Sequence, residues 1–377
     1  MKKSTVICGV LLLTFVVNMA EAKESLHEIS WPHAVYSGIK QRDEKLLEAN
    51  DKNVLNEFSM AITARLKALQ QKNELPFQLK ETDNSFEEDK SADGSVTIVP
   101  LLLDDHAYVS KYSINNQEFS TAVLMCQMDI LFCYYPGSGS SLRCLYNIPL
   151  IGHKNLGPFE GGVISKDILK REYIDGVKQL IGQELNFKNK NILKDLELHK
   201  VTPDTYQVTD VTLTSPSANK FYGEIYPKIK NEDGLPLVKA LIASSYTSSF
   251  AAKHPELTVL PSRAVGNWEE NAAKGTFQLS LGDSGKYITS EEANNKISLD
   301  LFKLAGFDVP LKYKTVNVYT VKGIVAGLKD TGNGKESLFT ITKQFPVTSD
   351  VSNQARYPYV SLFAEVISGA AKELGGK

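Results

Sequence analysis

Residues 119–151 read FSTAVLMCQMDILFCYY, then PGSGSS, then LRCLYNIPLI. The first block, Phe119 to Tyr135, is a long β-rich run and reads as a strand. Pro136 to Ser141 are turn formers, and Leu142 to Ile151 returns, so the stretch predicts a long β-hairpin. Cys133 and Cys144 lie symmetrically about that turn. A hairpin closed at its centre faces them across the strands, which makes them a candidate disulfide in an oxidising compartment. The alternative is a buried thiol at each position, since cysteine packs as a small hydrophobe. Tyr134, Tyr135 and Tyr146 cluster near the same tip. They form a candidate contact surface, because tyrosine adds contact area at little rotamer cost. Packing against a neighbouring helix explains them equally well.

Outward from the hairpin, helices flank it on both sides. Leu55, Phe58, Ile62, Leu66 and Leu69 recur at helical spacing within Asn53 to Lys72. A Gly/Pro loop over 157–162 precedes a second helix with Ile174, Val177, Leu180, Ile181 and Leu185 in one stripe. Short strands are expected at Phe77 to Leu79 and Ser95 to Val99. The second half repeats the order. Tyr206 to Thr214 is strand-like, Leu237 to Ala252 reads as a helix, and Leu257 to Leu260 as a strand. Thr315 to Leu328 and Ser337 to Phe345 flank an Asn333-Gly334 turn, a strong hairpin signal. Tyr359 to Leu374 reads as a closing helix. The expected fold class is α+β. It has two similar units, each a mainly antiparallel sheet with a long hairpin and helices packed on one face. The expected divisions are residues 1–22 as a signal peptide, 23–190 as the first unit and 191–377 as the second.

The first 22 residues carry an address. Lys2 and Lys3 precede an uncharged apolar run from Val6 to Val17, and Ala20-Glu21-Ala22 supplies small residues where a signal peptidase reads. Cleavage is expected after Ala22. The apolar run is too short to anchor in a bilayer, which takes about 20 residues. No later apolar stretch approaches that length, so no transmembrane segment is expected in the mature chain. The protein is therefore expected to be exported, periplasmic or secreted. The 42 basic and 44 acidic residues are interspersed. That near-neutral balance gives no electrostatic reason to hold nucleic acid. Cys8 falls inside the leader, too early and without the small neighbour of a lipoprotein signal. Cys126, Cys133 and Cys144 then remain, an odd number that leaves at least one thiol over.

The order of Tyr206 to Val211, the helix from Leu237, the strand Leu257 to Leu260, the hairpin about Asn333-Gly334 and the helix from Tyr359 resembles a known envelope group. It is similar to the small α/β domains of the TolB amino-terminal region and of the curli-secretion protein CsgG. The resemblance implies a non-catalytic envelope protein that works through an envelope protein partner. It carries over no functional residue. This chain lacks the lipidated cysteine of CsgG and the propeller repeats of TolB.

Chemistry-bearing motifs are absent or incomplete, so no catalytic, cofactor-binding or metal-ligating residues are expected. Gly282-Asp283-Ser284-Gly285 echoes a serine-protease segment, but Lys286 follows it and the histidine context is missing. It fits a polar turn between Phe277-Gln278-Leu279 and Tyr287-Ile288. Ser37-Gly38-Ile39-Lys40 and Ser217-Ala218-Asn219-Lys220 match Ser-x-x-Lys without its Lys-Thr-Gly partner. Gly332-Asn333-Gly334-Lys335-Glu336 lacks the leading glycine and the hydroxyl of a phosphate loop. Asp104-Asp105-His106 could offer three metal ligands, but consecutive residues on an extended chain face opposite ways and one ion cannot easily take all three, so a solvated loop is the better reading. The leading functional expectation is an exported, non-enzymatic envelope protein acting by protein–protein contact. The competing readings are a two-lobed solute-binding protein and a hydrolase whose site is assembled from distant residues.

Overall fold

The computed structural model describes residues 28–30, 35–36, 46–47, 51–75, 77–79, 95–105, 107–114, 116–135, 142–187, 205–212, 239, 242–244, 246–248, 250–251, 254, 257–263, 268–271, 276–280, 287–313, 316–330 and 335–348. The leader at 1–22, the two Ser-x-x-Lys segments and the closing helix expected at 359–374 lie outside these residues. In the amino-terminal half the strands are β1 (Glu28–Ser30), β2 (Val35–Tyr36), β3 (Gln78–Leu79), β4 (Ser95–Asp104), β5 (Ala107–Ile114), β6 (Gln117–Tyr135) and β7 (Leu142–Glu160). Helix α1 (Lys52–Gln71) precedes β3, and α2 (Lys166–Glu184) follows β7. The second half holds β8 (Thr205–Thr212), β9 (Thr258–Val259), β10 (Trp268–Asn271), β11 (Thr276–Ser280), β12 (Tyr287–Glu291), β13 (Asn295–Tyr313), β14 (Val316–Asp330) and β15 (Lys335–Thr348). Helical residues lie between β8 and β9, within 239–251.

Both described helices start where the sequence offers a cap. The Asp51 carboxylate accepts from the Val54 N–H at 3.3 Å, and the Ser165 hydroxyl from Ile168 N–H at 3.3 Å. Helix α1 ends through Asn73, whose φ of 57° is the left-handed cap conformation. Glu74 N–H then closes back onto Leu69 O at 2.9 Å. The buried stripe of α1 is Val54, Phe58, Ile62, Leu66 and Leu69. Leu55 is only partly buried beside it. The stripe of α2 adds Tyr173, which is fully buried.

The two helices cover one face of the first sheet. That face presents Ala122, Leu124, Cys126, Met128, Ile130 and Phe132 from β6, with Val96, Ile98 and Leu102 from β4. Helix α2 comes close where the side chains shrink. A methyl group built on Gly176 would meet the Cys126 sulfur at 3.4 Å, and one on Gly152 would meet a Leu180 methyl at 3.0 Å. The opposite face is buried as well, through Thr97, Val99 and Leu101 of β4 and Val123, Met125, Gln127, Asp129, Leu131 and Cys133 of β6. Burial on both faces explains why β6 reads as a nearly continuous apolar run.

The first sheet runs β10-β11-β12-β7-β6-β4-β1-β3, with β2 and β5 paired to β4 and β6. The second runs β15-β14-β13-β8-β9. Five strands of each follow one path. In β3-β1-β4-β6-β7 the successive pairings are parallel, parallel, antiparallel, antiparallel. In β9-β8-β13-β14-β15 they are the same. The fold is mixed α/β, with a mainly antiparallel first sheet and a second sheet beside it.

Three features depart from expectation. The Gly/Pro loop expected over 157–162 is largely strand: β7 continues through Gly157 and Pro158 to Glu160. A register shift opposite Ser120 accommodates it, since proline is tolerated in strands at such irregularities. Strand β4 runs on to Asp104, well past Val99. Strands β10 to β12, from the carboxy-terminal half, extend the first sheet through the parallel β12–β7 pairing. Arg263 bridges that extension and the second sheet. Its guanidinium lies 3.6 Å over the Phe277 ring of β11, while Nε donates to Gln207 of β8 at 3.1 Å.

Candidate functional site

The register sets a buried polar row across the first sheet, on the face away from α1 and α2. Thr97 of β4 is the partner of Cys133, Cys133 is the partner of Cys144, and Cys144 is the partner of Ser290 on β12. All four are buried, and both cysteines are 0 % exposed. A shift between Phe132 and Cys133 leaves Leu145 as the extra residue of β7. Leu145 and Tyr146 therefore both face the helices, while Cys144 returns to the far face with Cys133. Strand β12 is held against β7 by the Thr289 hydroxyl, which donates to Leu142 O at 3.1 Å. An Arg143–Glu291 ion pair reinforces it.

The two thiols are neighbours across the ladder, and Cys144 donates to Tyr146 O at 3.7 Å. Burial, then the neighbouring Cys144, pushes the Cys133 thiol well above its ordinary value. A thiol so placed is not a nucleophile, because the reactive form is the thiolate. Cys126 faces the other way, against α2. Among the described residues, Cys126, Cys133 and Cys144 are all thiols.

Further along the same face, Asp129 sits between Leu101 of β4 and Pro149 of β7. Burial pushes its carboxyl up to about 7, and the adjacent Asn147 amide pulls the other way. Asn147 is itself buried, as is Gln127. None of these groups reaches solvent, so in this conformation none meets a substrate from outside. Sequence reading missed Asp129. Its signal was a lone carboxylate inside a run of apolar strand residues.

The tyrosines divide. Tyr146 is 7 % exposed and packs at a tilt on Phe132, 5.9 Å between centroids. Tyr134 packs against the same helix-side core. Tyr134 is only partly buried there. The Tyr135 side chain and the 136–141 tip lie outside the described residues. Asp105 corrects the expectation of a solvated loop. It is 0 % exposed, and its carboxylate accepts from Leu47 N–H at 2.9 Å, tying that segment to the end of β4. His106 lies outside the described residues. Ser280 pairs with Tyr287 in the antiparallel β11–β12 pair, and the Gly282–Gly285 segment lies outside the described residues. Asp330 pairs with Lys335 in the antiparallel β14–β15 pair, and residues 331–334 lie outside the described residues.

A shallow groove of about 280 Å³ runs between α1 and α2, lined by Glu57, Lys170, Ile174 and Lys178 among others. Its charges pair across the helices, Lys178 with Glu57 and Lys170 with Asp51. Among the described residues no group of three or more His, Cys, Asp or Glu could hold a metal ion. No described helix is long and apolar enough to cross a membrane.

No family model and no curated protein matches this chain. A crystal structure of a minor lipoprotein from Acinetobacter baumannii is similar to it at 9 % identity and a TM-score of 0.23, covering 46 % of this chain and 90 % of that one. The likeness is too low to assign a shared fold or role, and it supplies no link to TolB or CsgG.

Proposed function

We propose that this protein is an exported, non-enzymatic component of a bacterial envelope that acts by contact with another envelope protein. The leader-like pattern of residues 1–22 carries the export part of the reading. The contact part rests on one observation. The chemically versatile side chains of the first sheet (Asp129, Cys133 and Cys144) are sealed inside its layer. Their burial suits a structural role and leaves recognition to the outer surface. The common five-strand path of the two sheets supports a duplicated unit, consistent with an accessory protein built from two copies of one binding module. The TolB- and CsgG-like domain order belongs to the same reading.

Fractionation with in-cell cross-linking tests this. The tagged full-length chain should leave the cytoplasm, lose residues 1–22, and capture one envelope protein reproducibly. Deleting residues 1–22 should retain it in the cytoplasm and abolish the capture. A full-length chain that stays cytoplasmic would sink the export reading. An exported chain that captures nothing would sink the contact reading.

A further inference from the structure

We propose that Cys133 and Cys144 are joined by a disulfide in the mature protein and that Cys126 remains a thiol. Register carries the argument. Directly opposed residues of antiparallel strands have Cα atoms about 4.5–5.5 Å apart, inside the span a disulfide accepts. Cys133 and Cys144 are such partners, on one face of the sheet. Cys126 belongs to the same strand but packs on the opposite face, so the sheet itself separates it from the pair. The odd thiol count is thereby resolved by faces, not by spacing.

The bond forms by thiol–disulfide exchange with an external disulfide, such as glutathione disulfide or an exposed protein disulfide. One cysteine thiolate attacks a sulfur of that disulfide, forming a mixed disulfide and expelling one thiolate. The second cysteine thiolate then attacks the protein sulfur of the mixed disulfide. The Cys133–Cys144 bond forms and the other half of the oxidant leaves. The cysteine pair loses two protons and two electrons, and the external disulfide departs as two thiols. In the folded chain neither sulfur is exposed to an oxidant. The exchange therefore precedes burial of the sheet. The two residues flank the hairpin tip, so their encounter needs only the local β6–β7 ladder and closes a short loop.

The proposal rests on the export reading only for its oxidising surroundings, so the test has two arms. In the first, the mature chain is unfolded, reduced and refolded in a reduced/oxidised glutathione buffer. It is then trapped with N-ethylmaleimide and mapped by mass spectrometry. The expected product has one alkylated thiol, at Cys126, and a linked Cys133–Cys144 peptide. Glutathione added only after refolding under reducing conditions should oxidise the pair at least about tenfold more slowly, since buried thiols exchange poorly. The Cys126→Ala variant should keep the bond, and Cys133→Ser should form no bond between Cys126 and Cys144. Three alkylated thiols, glutathione left on either residue, or any bond to Cys126 overturns the proposal. In the second arm the chain is trapped in cells and mapped the same way. Three thiols in the second arm on a chain that has left the cytoplasm and lost residues 1–22 overturn the proposal, whereas three thiols on a chain retained in the cytoplasm count against export and leave the pairing found in the first arm standing.

Discussion

The Asn147 amide stands beside the Asp129 carboxyl in the buried face of the first sheet, where burial and the amide act in opposite directions on its charge. Burial raises the carboxyl from its ordinary 3.8 to about 7, while Asn147 favours the ionised form. Between about pH 4 and pH 7 the folded chain holds a proton that the unfolded chain has released. Stability therefore falls as pH rises through that window and levels off above it. At about 1.4 kcal/mol per unit, the fall from this one group is on the order of a few kcal/mol.

Three carboxylates act the other way, in a separate window. Asp51 is held low chiefly by Lys170, Glu172 by Lys154, and Glu292 by Lys296. Their contribution is present above the ordinary carboxylate range and is lost only as pH falls through their lowered values. Urea midpoints at about pH 5 and about pH 7.5 isolate Asp129. The wild-type midpoint should be lower at the higher pH, and Asp129→Asn should remove most of that difference. An equal fall in both chains would place the effect elsewhere.

Phe58 is 0 % exposed in the α1 stripe, whereas Met60, two residues on, is 70 % exposed. Phe58→Ala should cost about 3–5 kcal/mol through lost burial and a residual cavity. Met60→Ala should stay within about 0.5 kcal/mol. Denaturant titration of both variants checks the orientation of the helix. Similar losses at the two positions would contradict it.

Gly157 and Gly176 separate backbone need from packing room. Gly157 has φ of 102°, and a Cβ there would lie 2.8 Å from Ser120 O. Gly157→Ala should destabilise by about 1–3 kcal/mol. Gly176 is helical and has ordinary contact distance to the Cys126 sulfur. Gly176→Ala should be neutral or stabilising by up to about 1 kcal/mol, because alanine is the better helix former. Thermal midpoints moving in the same downward direction for both variants would refute the distinction.

Arg263 joins strands of the two sheets through Phe277 and Gln207, and it also reaches Glu292 at 3.0 Å. Its side chain is 18 % exposed. Removing it strands the Gln207 carbonyl and the aromatic face, so Arg263→Ala should cost about 1–3 kcal/mol. Arg263→Lys should recover only part of this, since a lysine lacks the planar fork. Hydrogen exchange should show the loss centred on β8 and on the β11–β12 hairpin. Unchanged protection there would remove the proposed bridging role.

Local pattern was enough for the pieces whose partners lie nearby. The stripes Phe58–Ile62–Leu66–Leu69 and Val177–Leu180–Ile181 placed both helices, because a helix closes its own hydrogen bonds and shows its buried face every three or four residues. The Pro-Gly-Ser turn placed β6 against β7 and made Cys133 and Cys144 partners, because a short hairpin sets its own register. Tertiary structure alone decided what depends on distant chain. The pairing of β12 with β7 joins Ser290 to Cys144 across more than a hundred residues, and strand alternation does not name a partner. Which face each cysteine takes, the burial of both sides of β6, and the raised carboxyl of Asp129 follow from that assembly. A side chain's surroundings are set by the layers packed on it, and those layers come from segments far apart in sequence.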